Sequence, residues 1–404
     1  MEWKEVRLGD VCDLIAGFAF KAKDFGDFTT KVIKIGDIKP PFVDYGGQVG
    51  VDISRYDINK LSKYTVGYGD YVLAMTGATI GKVGKYISKH SSYINQRVLK
   101  FSPKQDVDAD YINYTICSNT FAKYVVNYID SESAQPNISA PTISKFTFRI
   151  PKEKEYQCRI ASILSSLDRK IELNNQINAK LEEMAQAIFK NWFVDFEPFK
   201  EGKFVESELG MIPEGWKVGR LTDIASYLNG LAMQKFPPEN KNESLPVLKI
   251  KELGQGFCNM DSDICSSNIK NEYKIHNGDV IFSWSGTLLV DIWCGGDCGL
   301  NQHLFKVTSN DYPKWFYYYW TKYHLKEFIH IAKDKAVTMG HIKRGHLEEA
   351  LVVIPDTKSL SKANELYIPL LENIISLRLE SSRLSALRDT LLPKLMSGEL
   401  EVSE

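Results

Sequence analysis

The sequence predicts an α+β chain. Two pseudo-repeated β-rich domains are each followed by a long α-helix, and the two helices pair as an antiparallel coiled coil. Three observations predict this. An internal duplication recurs with a period of about 205 residues. Short β-branched and aromatic runs are confined to the first part of each copy. Two long apolar seams occupy the second parts.

The duplication is read from five strings in the same order. Trp3-Lys4-Glu5-Val6-Arg7-Leu8-Gly9-Asp10-Val11 returns as Trp216-Lys217-Val218-Gly219-Arg220-Leu221-Thr222-Asp223-Ile224. Val32-Ile33-Lys34-Ile35 returns as Val247-Leu248-Lys249-Ile250, and Tyr68-Gly69-Asp70 as Asn277-Gly278-Asp279. Ile94-Asn95-Gln96-Arg97 returns as Leu300-Asn301-Gln302-His303, and Phe148-Arg149-Ile150-Pro151 as Val352-Val353-Ile354-Pro355. In the first copy, 32–38, 70–75, 96–101 and 146–150 read as strands. Residues 108–129 and 312–332 read as helices with Asp or Asn cap candidates and Pro313 in a first turn.

In the first long helix Leu164, Leu167, Ile171, Asn174, Asn178, Leu181, Ala185 and Ile188 follow alternating three- and four-residue steps, and no Gly or Pro interrupts 155–196. In the second, Leu370, Ile374, Leu377, Ser381, Leu384, Arg388, Leu391 and Leu395 do the same, and Gly398 stops the run. About 30 helical residues span roughly 45 Å, more than one small domain needs for its own core. The two stripes are therefore expected to cover each other, with the seam asparagines setting register at some cost in stability. The predicted boundaries are 1–152 for the first β-rich domain, 153–197 for the first helix, 198–212 for a linker, 213–356 for the second domain and 357–404 for the second helix and tail.

The 404 residues are 44% hydrophobic and 25% charged, ordinary for a globular chain. Seven dispersed cysteines read as reduced thiols. No apolar run approaches the roughly 18 residues of a membrane span, and the charged N-terminal stretch is unlike a secretory signal. A cytoplasmic protein without a membrane partner is expected. Net charge is −1, with 50 basic against 51 acidic residues. Residues 1–150 nevertheless hold 19 Lys/Arg against 16 Asp/Glu, and 213–355 are balanced at 16 each. The small basic excess thus lies in the first β-rich domain. It predicts modest stand-alone affinity for a polyanion, because phosphate neutralisation supplies most non-specific binding.

Fragments that imitate catalytic motifs fail on chemistry. Lys39-Pro40-Pro41-Phe42 has a donor-only lysine where an amino-methyltransferase loop needs an accepting oxygen. Gly77 to Gly84 is one residue short of a phosphate loop and lacks the hydroxyl after Lys82. Glu201-Gly202-Lys203 and Glu272-Tyr273-Lys274 lack the upstream acidic residue of a nuclease. Cys294 and Cys298 with His303 do not have the paired spacing of structural zinc and have no counterpart in the first copy. No catalytic residue, metal or cofactor of the chain's own is expected.

Binding surfaces remain. Thr76, Thr79, Lys82, Lys85, Gln135 and Asn137 sit in turn contexts in the first copy, and Ser283, Ser285, His341, Lys343, Arg344 and His346 in the second. Asn and Gln can pair with adenine, and Arg and Lys with guanine. Residues shared by the copies, such as Asn95-Gln96 and Asn301-Gln302, cannot distinguish two targets and read as scaffold. Residues that differ are better candidates for base readout.

Leu8-Gly9-Asp10-Val11, 77–84, Ile94-Asn95-Gln96, 157–174, Ile212-Pro213-Glu214-Gly215-Trp216 and 387–398 together make the chain resemble the specificity subunit of type I restriction-modification systems. The resemblance covers nearly the whole chain. It implies that each β-rich domain is a target-recognition domain reading one half of a bipartite sequence in double-stranded DNA. It implies that the paired helices, through Leu164, Leu167, Ile171, Asn174, Leu181, Ile188, Leu370, Ile374, Leu377, Leu384 and Leu391, set the gap and dock two methyltransferase (modification) subunits. S-adenosylmethionine and ATP are then expected only on partner subunits, the latter on restriction/translocase subunits. The loop at 77–84 is replaced in the second copy by Ser283 to Leu289, which puts a shared DNA-contact role for it in doubt. Two other readings are a diverged methyltransferase or nuclease chain and a coiled-coil adaptor without a DNA target.

Overall fold

The computed structural model describes residues 2–130, 136–240, 243–334 and 340–402. They form two compact units: residues 1–169 with 385–404, and residues 170–384. Each long helix contributes residues to both units. The helical segments assigned separately by the sequence are therefore shared between the two bodies.

In the first unit Trp3–Arg7 pairs antiparallel with Thr147–Pro151. A six-stranded sheet follows the order Cys12–Ala16, Val98–Pro103, Tyr71–Ala74, Val83–Lys85, Phe42–Val43, Ile38–Lys39. A four-stranded sheet follows the order Val49–Val51, Phe25–Ile33, Ser92–Ile94, Thr65–Val66, its central pair parallel. The second unit repeats the plan. Lys217–Arg220 pairs with Leu351–Ile354. Ser226–Asn229, Leu304–Thr308, Val280–Ser283 and Leu289–Ile292 form one sheet. Ile264–Ser266, Ser244–Leu248, Cys298–Leu300 and Lys274–Ile275 form another, again with one parallel pair.

Local side chains redraw several predicted boundaries. The Asp37 carboxylate accepts the Lys34 N–H at 2.7 Å, so the strand predicted through residue 38 ends at Ile33 and turns. The Ser118 hydroxyl accepts the Phe121 N–H at 3.2 Å and starts a new helix. The predicted helix at 108–129 is consequently two, Ala109–Ile116 and Asn119–Asn127. The predicted linker carries a hairpin, Phe204–Ser207 with Gly210–Pro213.

The long helices are Lys154–Phe193 and Thr357–Ser397. Phe196, at a φ of 56°, turns the chain just past the first, and Gly398, at a φ of 78°, ends the second. In the first unit Ile160, Ala161, Leu164 and Leu395 join the core formed by Phe101, Tyr111, Ile112 and Ile150. Gln157 is buried and links three segments: its Oε1 accepts the Asp108 N–H at 2.9 Å and its Nε2 donates to the Pro151 carbonyl at 2.9 Å. Arg388 donates to Asp168 at 2.8 Å, and Asp168 also accepts from the Tyr114 hydroxyl at 2.6 Å.

In the second unit the helix Lys314–Asp334 presents Trp315, Phe316, Tyr318, Tyr319 and Trp320 to Ala185, Phe189 and Phe193 of the first long helix and to Tyr367 of the second. Trp315 stacks on Tyr367 with centroids 4.3 Å apart. The Tyr367 hydroxyl donates to the Ala185 carbonyl at 3.1 Å, and Asn174 Nδ2 donates to Glu380 at 2.8 Å. Arg378 donates to Asp291 at 2.8 Å, holding the second helix to the strand Leu289–Ile292.

Glu182 is the polar centre of this contact. It accepts from the Tyr318 hydroxyl at 3.2 Å, from the Tyr319 hydroxyl at 3.4 Å and from Lys322. Burial alone would raise the Glu182 carboxyl, but Lys322 beside it more than offsets that, and its pKa lies below the ordinary 4.5. In the unfolded chain the group titrates near 4.5, so its contribution to stability is complete above that value. The contribution is lost as pH falls through the lower folded value. Glu182→Gln is therefore expected to cost about 2 kcal/mol at neutral pH, where the partly exposed Lys322 loses its counter-charge. The variant should lose less stability than the parent on acidification below 4.5, as read by calorimetric melting across that range.

The seam also holds buried polar atoms without partners among the described residues: Asn174 Oδ1, both amide atoms of Asn178, and the Ser381 hydroxyl. Each such group costs about 1–3 kcal/mol. Asn178→Leu is expected to raise stability by about 1 kcal/mol or more, seen as a higher urea midpoint with an unchanged slope.

Candidate nucleic-acid interface

In each unit one small set of backbone hydrogen bonds ties four loops together. In the first, the Gly17 N–H donates to Val98 O at 2.9 Å, Phe18 to Ile94 O at 2.9 Å and Asn95 to Ile33 O at 3.0 Å. Met75 donates to Arg97 O at 2.9 Å, Gly77 to Pro136 O at 3.3 Å and Ile138 to Met75 O at 2.9 Å. The second unit repeats all six. Gly230 donates to Leu304 O at 3.0 Å, Leu231 to Leu300 O at 3.0 Å and Asn301 to Leu248 O at 3.2 Å. Trp284 donates to His303 O at 3.4 Å, Gly286 to Gly340 O at 2.9 Å and Ile342 to Trp284 O at 3.0 Å. The approach is close enough to require glycine. A Cβ on Gly17 or Gly230 would lie 2.2 Å from the carbonyl oxygen of Asn95 or Asn301.

This knot gathers several of the predicted residues. Thr76 bridges Asn137 in the first copy and Ser285 bridges His341 in the second. The Thr79 hydroxyl donates to the Ile35 carbonyl at 3.2 Å. Lys82 is exposed and Lys85 half-buried at the start and end of the neighbouring strand region. Gln135 lies outside the described residues. Lys343 and Arg344 are exposed where the short helix Arg344–Glu349 begins.

Three side chains are committed to holding the fold. Ser283 is fully buried, and its hydroxyl donates to Ser285 O at 3.2 Å and Thr287 O at 2.8 Å. This corrects the expectation of an exposed contact residue: the side chain is spent on the turn. Ser285 is buried, with its hydroxyl 3.0 Å from His303 Nδ1. His346 Nδ1 accepts the Lys343 N–H at 3.1 Å and so caps the short helix.

The knot also carries Arg97, His303 and Trp284, which the sequence reasoning did not choose as DNA-contact candidates, His303 having been weighed only as a metal ligand. The usable signal was the position following the shared Asn-Gln, which is Arg in one copy and His in the other. Trp284 Nε1 donates to Asn229 Oδ1 at 3.0 Å, and its ring lies 6.0 Å from that of His303 and 6.3 Å from that of His341. Among the described residues no group of three or more His, Cys, Asp or Glu is arranged to hold a metal ion. No helix among them is long and apolar enough to cross a membrane.

The family described as Type I restriction modification DNA specificity domain matches residues 1–183 and, again, 213–365. The chain belongs to this family. The type I restriction enzyme MjaIX specificity subunit of Methanocaldococcus jannaschii is 33% identical over 344 residues, 82% of this chain and 78% of the relative. The HindI specificity subunit of Haemophilus influenzae is 23% identical over an alignment spanning 99% of this chain and all of that one. The crystal structure of a type I restriction-modification S subunit from M. genitalium shares the fold, with a TM-score of 0.56 at 14% identity, covering 100% of this chain and 97% of that one. The present chain is thus a specificity subunit, and the two family matches fall on the two copies of the knot.

Because Ser283 holds its turn from within, Ser283→Ala in this specificity subunit is expected to cost about 1–2 kcal/mol of stability. The DNA target should stay unchanged, as checked by thermal melting together with methylation mapping.

Proposed function

We propose that each β-rich domain reads one half of a bipartite target in double-stranded DNA, from the surface around its backbone knot. The observation that carries this reading is the repetition of the knot with different side chains. Thr76 and Asn137 occupy in the first copy the places of Ser285 and His341 in the second. One scaffold presenting two chemistries suits two unlike half-sites. Lys82, Lys85, Lys343 and Arg344 supply cations for phosphates or guanine. The balanced charge of the second domain is consistent with weak binding by the chain alone and tighter binding in a complex.

The long helices, in the same reading, pair as an antiparallel coiled coil that spaces the two heads and docks two methyltransferase subunits, with restriction/translocase subunits completing the assembly in the cytoplasm. Support comes from partners that ascend along one helix as they descend along the other: Asp168 with Arg388, Asn174 with Glu380, Ala185 with Tyr367. The specificity subunit is the recognition component, and methyl transfer and ATP-driven cleavage belong to the partner subunits.

The test is to assemble the chain with adenine-methylating modification subunits and S-adenosylmethionine, then sequence the methylated sites. A split motif with a fixed gap is expected. Four residues added to each helix, about 6 Å, should change that gap by one or two base pairs. A contiguous motif overturns the two-headed reading, and an unchanged gap overturns the ruler.

A further inference from the structure

Arg97 and His303 occupy equivalent places. Each follows a shared Asn-Gln, and each carbonyl accepts the knot hydrogen bond from residue 75 or 284. Their side chains are in opposite states. The His303 ring is engaged at both nitrogens, Nδ1 at 3.0 Å from Ser285 Oγ and Nε2 at 3.3 Å from Gln302 Nε2, and it lies beside Trp284. Its donors and acceptors are satisfied within the domain. Arg97 is exposed and has no hydrogen-bond or ion-pair partner among the described residues. Residue 75, in the place of Trp284, is a buried methionine. The Arg97 backbone is nonetheless fixed, because its carbonyl is bound by Met75 and the Asn95 carbonyl by Val98 at 2.8 Å.

A rigidly based, exposed and uncommitted guanidinium suits a planar acceptor pair. On a DNA major-groove edge that pair is O6 and N7 of guanine. Resting on the function proposed above, we propose that Arg97 is a specificity-determining residue that reads a guanine in the half-site of the first domain. The second domain, whose equivalent His303 is hydrogen-bonded to Ser285 and Gln302, makes no such reading at that place. The two halves of the target then differ at the base pair under this position.

The experiment maps methylation by the assembled complex on a randomised duplex library, with S-adenosylmethionine as methyl donor. Arg97→Gln keeps the knot, which uses only the backbone of residue 97. It should relax discrimination at one guanine position by at least about fivefold, the low end for a bidentate contact, and leave the other half-site unchanged. An unchanged motif overturns the proposal, including one accompanied by uniformly weaker binding and a smaller salt dependence, the behaviour of a phosphate contact. Relaxation in both halves overturns it too. Should Arg97→Gln abolish methylation, Arg97→Lys decides by the same criterion, since it keeps the charge and loses the fork. Failure of the parent complex to methylate a split site sinks the functional reading instead and is seen before any variant is made.

Discussion

The contact between Glu182 and the helix Lys314–Asp334 governs how the second β-rich domain is presented. A carboxylate on a long helix meets two tyrosine hydroxyls and one ammonium from a neighbouring helix. Apolar packing around Phe189, Phe193 and Trp315 is strong but tolerant of rotation and sliding. The directional hydrogen bonds at Glu182 select one docking angle from those the aromatics would accept. Asp168, held by Arg388 and Tyr114, has the corresponding place in the first unit. A domain that could pivot on its helix would blur the position of every side chain on its knot, so these partly buried carboxylates fix the orientation of that surface from a distance.

Duplication has kept the backbone and released the side chains. Six equivalent hydrogen bonds, one glycine pressed against a carbonyl oxygen and one parallel strand pair recur in each copy. Because these contacts use main-chain atoms, residues 76, 97 and 137 can differ from their counterparts 285, 303 and 341 while the six bonds are kept. The division of labour is clear at Ser283, whose hydroxyl serves backbone carbonyls, and at Arg97, whose side chain serves none.

The parts of this arrangement that repeat over many residues were legible in the sequence. A seam of alternating three- and four-residue steps marks buried positions such as Leu164, Asn174, Ala185, Ile374 and Leu395, because a helix turns every residue by the same angle. The copies were legible because five strings recur in order. What escaped was decided by single side chains. Asp37 and Ser118 each divert the backbone with one hydrogen bond, and neither differs in composition from residues that do not. Whether a turn serine points inward, as Ser283 does, depends on how the turn folds its own carbonyls, those of Ser285 and Thr287, back onto the hydroxyl. Arg97 and His303 were hidden by the shared Asn-Gln before them, which drew attention to what the copies have in common.

Leu395 is packed beside Leu164 in the core of the first unit, and Met396 and Val402 cover the same cluster. That unit therefore needs residues the ribosome adds only after the whole of the second unit has been made. An amino-terminal fragment released early would expose the apolar flank of Ile160, Ala161 and Leu164 to the proteolytic machinery of the cell. A half-finished chain is in this way left with an uncovered apolar face.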